Sequence, residues 1–143
     1  MSLKLSRAFI TAIECNSDLL VTLGADPVTL EGARIFPVAR PDEDEKEDKL
    51  PYIIIMPNGI QSQGSKDDYD ETDTAIIGVL VVTDTADELF DLTQTVRETI
   101  DGHITDDPEF SIDDYTFSAD PVKYDSERPC YFQTLTYTCN TQN

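Results

Sequence analysis

The stretch "DTAIIGVLVVTDTADELFDLTQTVRETIDG", Asp73 to Gly102, decides how the chain folds. From Thr74 to Thr83 it is the longest apolar run in the sequence and rich in β-branched residues, which predicts the central strand of a sheet. An Asp84-Thr85 turn follows, and Thr85 and Glu88 have the spacing of a helix capping box. Beyond it Leu89, Leu92, Val96 and Ile100 recur at helical spacing, and Gly102 is expected just past the helix end. A central strand that turns directly into an amphipathic helix requires the helix to cover one face of the sheet.

Upstream, Tyr52 to Met56 in "LPYIIIM" is an unbroken apolar run, read as a strand buried on both faces. Pro57-Asn58-Gly59 supplies turn or bulge chemistry after it. "ARIFPVA" carries Pro37, which cannot donate to a ladder, so it reads as an edge strand. The N-terminal segment places Ala8, Phe9, Ala12 and Ile13 on one helical face. Asn16, Ser17 or Asp18 is suited to cap a second, short helix that ends at Gly24. Downstream, Tyr115, Phe117 and Ala119 alternate with Thr116 and Ser118, and Pro121 limits that strand. The last strand, Cys130 to Cys139, places Tyr131, Leu135 and Tyr137 on one face and Thr134, Thr136 and Thr138 on the other.

The expected fold is therefore α+β, a mostly antiparallel sheet of about five strands with helices packed on one face, in the order α-α-β-β-β-α-β-β. At 143 residues the chain reads as one domain, 1–143, with acidic loops near 41–50 and 64–73.

Charge narrows the function. The chain holds 29 acids against 10 bases, a net charge of −19. Binding to nucleic acid or to an anionic membrane needs clustered Lys and Arg, and here the bases are scattered. Cys15, Cys130 and Cys139 form no C-x-x-C pair, so neither a disulfide framework nor a zinc site is signalled. No apolar stretch resembles a signal peptide or a membrane span, which leads us to expect folding in the cytoplasm.

Catalytic chemistry is sparse. His103, the only histidine, has no nucleophile motif to serve and reads as structural. No phosphate-cradling glycine motif appears. The expectation is no enzyme, no cofactor, no metal and no small-molecule substrate. Two acidic stretches remain. In "DEDEKED", Asp42, Glu43, Asp44, Glu45, Glu47 and Asp48 surround one lysine; in "DDYDE", Asp67, Asp68, Asp70 and Glu71 crowd together. Asp42 with Asp44, and Asp68 with Asp70, have alternate-residue spacing that suits weak divalent binding. Neither run has the glycine or terminal glutamate of an EF-hand loop. Solvated loops are the plain reading of both.

Three stretches together resemble the tail-completion, or tail-terminator, proteins of long-tailed bacteriophages and prophages (the minor tail protein U-like family). They are the N-terminal helix with "LLVTLGADP…ARIFPVARP", then "LPYIIIM", then the strand-to-helix stretch quoted first. The resemblance implies a structural protein of the virion tail, assembled in the host cytoplasm. It implies a homo-oligomeric ring, commonly a hexamer, that caps the tail tube and joins it to the head. Its partners would be further copies, tail-tube proteins and head-completion proteins, with DNA passing through unbound. An acidic opening suits that passage, since phosphate contacts from Lys or Arg would hold the DNA by counterion release. Either acidic stretch is then a candidate for the ring lumen or for a partner-facing surface. A second reading is an acidic binding or inhibitory module that mimics nucleic acid toward a basic partner.

Overall fold

A computed structural model of the chain describes residues 2–37, 50–62, 72–106, 112–127 and 129–142. Nine elements follow in order: α1 (Ser2–Glu14), α2 (Ser17–Thr22), β1 (Ile35–Pro37), β2 (Tyr52–Ser62), β3 (Thr72–Thr83), α3 (Ala86–Asp106), β4 (Ile112–Ala119), β5 (Lys123–Asp125) and β6 (Cys130–Gln142). The strands form one six-stranded sheet in the order β1-β2-β3-β6-β4, with β5 also pairing β6. As expected, β3 is central and β1 is an edge.

The sheet is mixed. β1 runs parallel to β2, with Ile35, Phe36 and Pro37 opposite Ile53, Ile54 and Ile55, and every other pairing is antiparallel. The sixth strand, β5, is a three-residue element between Pro121 and Pro129, too short for an alternation pattern to reveal. It exists because Lys123, Tyr124 and Asp125 meet Phe132, Tyr131 and Cys130 across a turn. β2 extends beyond the apolar run to Ser62, and the register shift between Pro57 and Gly59 is the bulge that the Pro-Asn-Gly signal predicts.

Alternation along the strands sorts side chains to two faces. One face sends Ile53, Ile55, Ala75, Ile77, Val79, Val81, Leu135, Tyr137 and Cys139 into the main core, where they meet Phe9, Ala12 and Ile13 of α1, Leu19 of α2, Leu23 beyond it, and Leu89, Leu92, Val96, Ile100 and Ile104 of α3. Each large side chain so buried contributes about 1.5–3 kcal/mol. Tyr137 stands at the aromatic centre, edge-on to Phe9 and to Phe117 with ring centroids 5.2 Å away in both cases. The expectation that β2 is buried on both faces holds for Ile53 and Ile55 at 0% and Ile54 at 8% exposure, while Tyr52 and Met56 are half-buried.

The helix ends follow local chemistry. Asn16 caps α2, its Oδ1 accepting from the Leu19 N–H at 3.1 Å. Thr85 caps α3 by accepting from the Glu88 N–H at 3.2 Å. α3 does not stop before Gly102 as its glycine suggests, but continues to Asp106. The reason is Ile104, which extends the buried stripe of Val96 and Ile100 by one more turn. His103 therefore lies within the last turn and not beyond it, its Nδ1 2.9 Å from the Thr99 carbonyl oxygen.

Candidate interaction surfaces

Both acidic stretches singled out in the sequence fall outside the described residues: Asp42, Glu43, Asp44, Glu45, Glu47 and Asp48 in the first, Asp67, Asp68, Asp70 and Glu71 in the second. Their anchors are described. The first connects Pro37, level with Ile55, to Leu50, so its ends lie at opposite ends of a parallel strand pair. The second joins Ser62 to β3 at the tip of an antiparallel pair in which Ser62 faces Asp73. The lumen assignment and the weak-cation reading both concern these undescribed stretches. Among the described residues no group of three or more His, Cys, Asp or Glu could hold a metal ion, and no helix is long and apolar enough to cross a membrane.

Three surfaces are described. The first is the sheet face turned away from the helices. Register places Phe36, Ile54, Leu80 and Thr134 in one row, Tyr52, Val82, Phe132 and Lys123 in the next, and Met56, Gly78, Thr136 and Ser118 in a third. The residues paired in these rows include no acid, although the chain has 29, and Asp120, whose backbone N–H donates to the Thr134 carbonyl at 2.9 Å, stands at the end of the first row. Ile54 and Val82 at the centre are 8% and 2% exposed and lie outside the main core cluster, and Phe36, Tyr52, Met56, Leu80 and Phe132 remain half-exposed around them.

The second surface is the loop from Gly24 to Arg34. Gly24 has φ +95°, a backbone conformation that favours glycine, and a Cβ there would displace the Arg34 guanidinium. Arg34 in turn donates from Nε to the Pro51 carbonyl at 2.9 Å and from Nη2 to that of Leu50 at 3.1 Å, tying the loop to the start of β2. At the loop tip the Asp26 carboxylate accepts from the Val28 N–H at 2.8 Å and the Thr29 N–H at 3.2 Å. Those two bonds hold its carboxyl below the ordinary Asp value. Backbone bonds from Asp26 N to the Glu31 carbonyl and from Leu30 N to the Asp26 carbonyl close the turn. The turn so fixed displays Val28 at 89% and Leu30 at 38% exposure, Leu30 with φ +60°, an uncommon conformation for this residue type.

The third is the outer side of α3, where Asp84 just before it, and then Asp87, Phe90, Asp91, Gln94 and Glu98, are exposed, Phe90 at 55%. Arg97 moderates this acidity from the flank: its guanidinium lies 3.9 Å above the Phe117 ring and its Nε 3.5 Å from Asp101 Oδ2. Beneath, burial and then Asp101 raise the pKa of Tyr115 and, far more, that of Tyr137, whose hydroxyl has no hydrogen-bond partner among the described residues. Burial pushes the Cys139 thiol up to about 12, so it is an inert core group. Sequence reasoning did not single out Val28, Leu30 or Phe90; the one available signal was Asp26, two residues before Val28, where a carboxylate folds a turn on itself.

No family model and no curated protein matches the chain. Among solved structures it is similar to a chain of the "Virion of native gene transfer agent (GTA) particle", with a TM-score of 0.42 and 10% identity over 95% of this chain and 98% of that one. At that level the likeness carries no functional argument.

Proposed function

We propose that this protein is a structural component of a phage or prophage tail that caps or completes the tail tube and helps join tail to head, assembling as a ring. The observation that supports the reading is where the three resembling stretches lie. The first supplies α1, α2 and β1, the second opens β2, and the third is β3 with α3. They form neighbouring strands and the helices packed over them, one contiguous unit rather than scattered matches. In this reading DNA passes the ring without being held, the partners are tail-tube and head-completion proteins, and the protein resides in the virion tail after assembly in the host cytoplasm. It performs no catalysis and carries no cofactor.

The reading is tested with purified tail tubes. Added protein is expected to arrest tube growth and to appear as rings at tube ends by negative-stain imaging; tubes that grow on unchanged would remove the proposal. The lumen assignment has its own test. Replacing Asp42, Asp44, Glu45 and Glu47 by lysine should create DNA binding in the assembled ring and leave the monomer folded, and a variant ring indifferent to DNA would sink it.

One observation favours the second reading, an acidic module acting on a basic partner: exposed Asp84, Asp87, Asp91 and Glu98 on and beside α3 form the helical array of acids that mimicry uses, with Phe90 among them. Binding to a basic protein together with no effect on tubes would select it.

A further inference from the structure

In a chain of net charge −19, copies can approach closely only where their acids do not face one another. Two described surfaces meet that condition and differ in kind. The helix-free sheet face is mostly apolar, and its three rows carry a base, Lys123 opposite Phe132, while the exposed acid Asp120 lies at its margin beside Thr134. The loop tip is a closed turn, with Val28 89% exposed, Leu30 two residues on and an exposed acid, Glu31, next to it. The Asp26 carboxylate is occupied by the Val28 and Thr29 amides, so it fixes the tip's shape.

We propose that the Val28–Leu30 tip of one copy seats on the helix-free face of the next, over Tyr52, Met56, Leu80 and Phe132, with Glu31 facing Lys123. The two surfaces are different patches of one chain, so the contact is head-to-tail, and it propagates from copy to copy until it closes. Only that closure into a ring rests on the function proposed above. Size and charge both make the contact weak in solution. Rows crossing four strands about 4.8 Å apart, and three such rows about 6.8 Å apart along the strands, give a face of roughly 400 Å², half of the ~800 Å² that a standard interface buries on each partner. Net repulsion between copies weakens it further at low salt, and salt screens that repulsion.

The test is sedimentation velocity at millimolar protein concentration and moderate salt, with Val28→Glu breaking the tip and Thr136→Glu breaking the face. Both positions lie at the surface, and unchanged circular dichroism and melting confirm folding; Val28→Gln and Thr134→Glu serve if either variant unfolds. Wild type is expected to form multimers, each variant alone to lose them, and an equimolar mixture to form dimers and nothing larger, through the one intact tip and the one intact face. Wild type that stays monomeric, Val28→Glu that associates like wild type, or a mixture without dimers would overturn the contact. If Val28→Glu still arrests tail tubes, the contact fails while the assembly role stands; if wild type forms these multimers yet ignores tubes, the assembly role fails while the contact stands.

Discussion

The two faces of the sheet are built from the same strands and do different work. On the covered face Ile53, Ile55, Ile77, Val79, Val81 and Tyr137 are fully buried beneath three helices. On the other, the alternate residues of those strands end in half-exposed Tyr52, Met56, Leu80 and Phe132 and in a ladder of threonines, Thr134, Thr136 and Thr138. The covered face carries most of the stability; on the other Ile54 and Val82, at 8% and 2% exposure, are also buried, while the residues around them stay half-open and available for contact. Apolar side chains left half-open beside threonines, on so acidic a chain, stabilise the monomer little.

The sharpest way to break this comparison is a pair of truncations one strand step apart. Ile77→Ala on the covered face is expected to cost about 2–5 kcal/mol in urea unfolding, and Leu80→Ala on the open face at most about 1–2 kcal/mol. Equal costs would mean that the open face is a second core. Next, Val28→Glu and Thr136→Glu should each weaken self-association at least tenfold, about 1.4 kcal/mol, without lowering the melting temperature. A smaller effect tests the covered face from within. Tyr137→Phe removes a buried hydroxyl that makes no hydrogen bond of good geometry among the described residues and has Asp101 within electrostatic reach, so stability should hold or rise by about 1 kcal/mol. A loss of stability would show that the hydroxyl is satisfied.

Two electrostatic effects are smaller still. Self-repulsion at net charge −19 should make the melting temperature rise between low and moderate salt, and a flat response would mean that the acids are neutralised within the fold. The Asp26 carboxyl titrates below its ordinary value because it accepts two backbone N–H bonds. A lowered folded pKa gives order that is present above the unfolded value and lost as pH falls through the folded one. The Val28 and Thr29 amide chemical shifts should therefore titrate together below the ordinary Asp value, and Asp26→Asn should abolish the transition.

Long periodic patterns made α3, the central β3 and the Thr face of β6 legible in the sequence, and local chemistry did so for the Pro37 edge strand, the Thr85 cap and an α2 cap among Asn16, Ser17 and Asp18, of which the structure uses Asn16. What the sequence hid was set by tertiary contact. The passage of α3 through Gly102 depends on Ile104 finding core space, β5 depends on meeting Phe132 and Tyr131, and the parallel pairing of β1 with β2 depends on chain path rather than on local pattern. The interaction surfaces were less legible. Charge runs announce themselves in sequence and drew attention to Asp42–Asp48 and Asp67–Glu71, whereas Val28 looks like any loop valine until three-dimensional burial is known. The helix-free face could be seen only as a polar strand, because its apolar half comes from β1, β2 and β3 side by side.

Copies of this protein are proposed to close the end of a growing tail tube. The most direct measurement is the length distribution of tail tubes polymerised with and without the protein, read by electron microscopy. Short tubes that cease to elongate, each ending in a ring, are expected; tubes of unaltered length with bare ends would rule that role out.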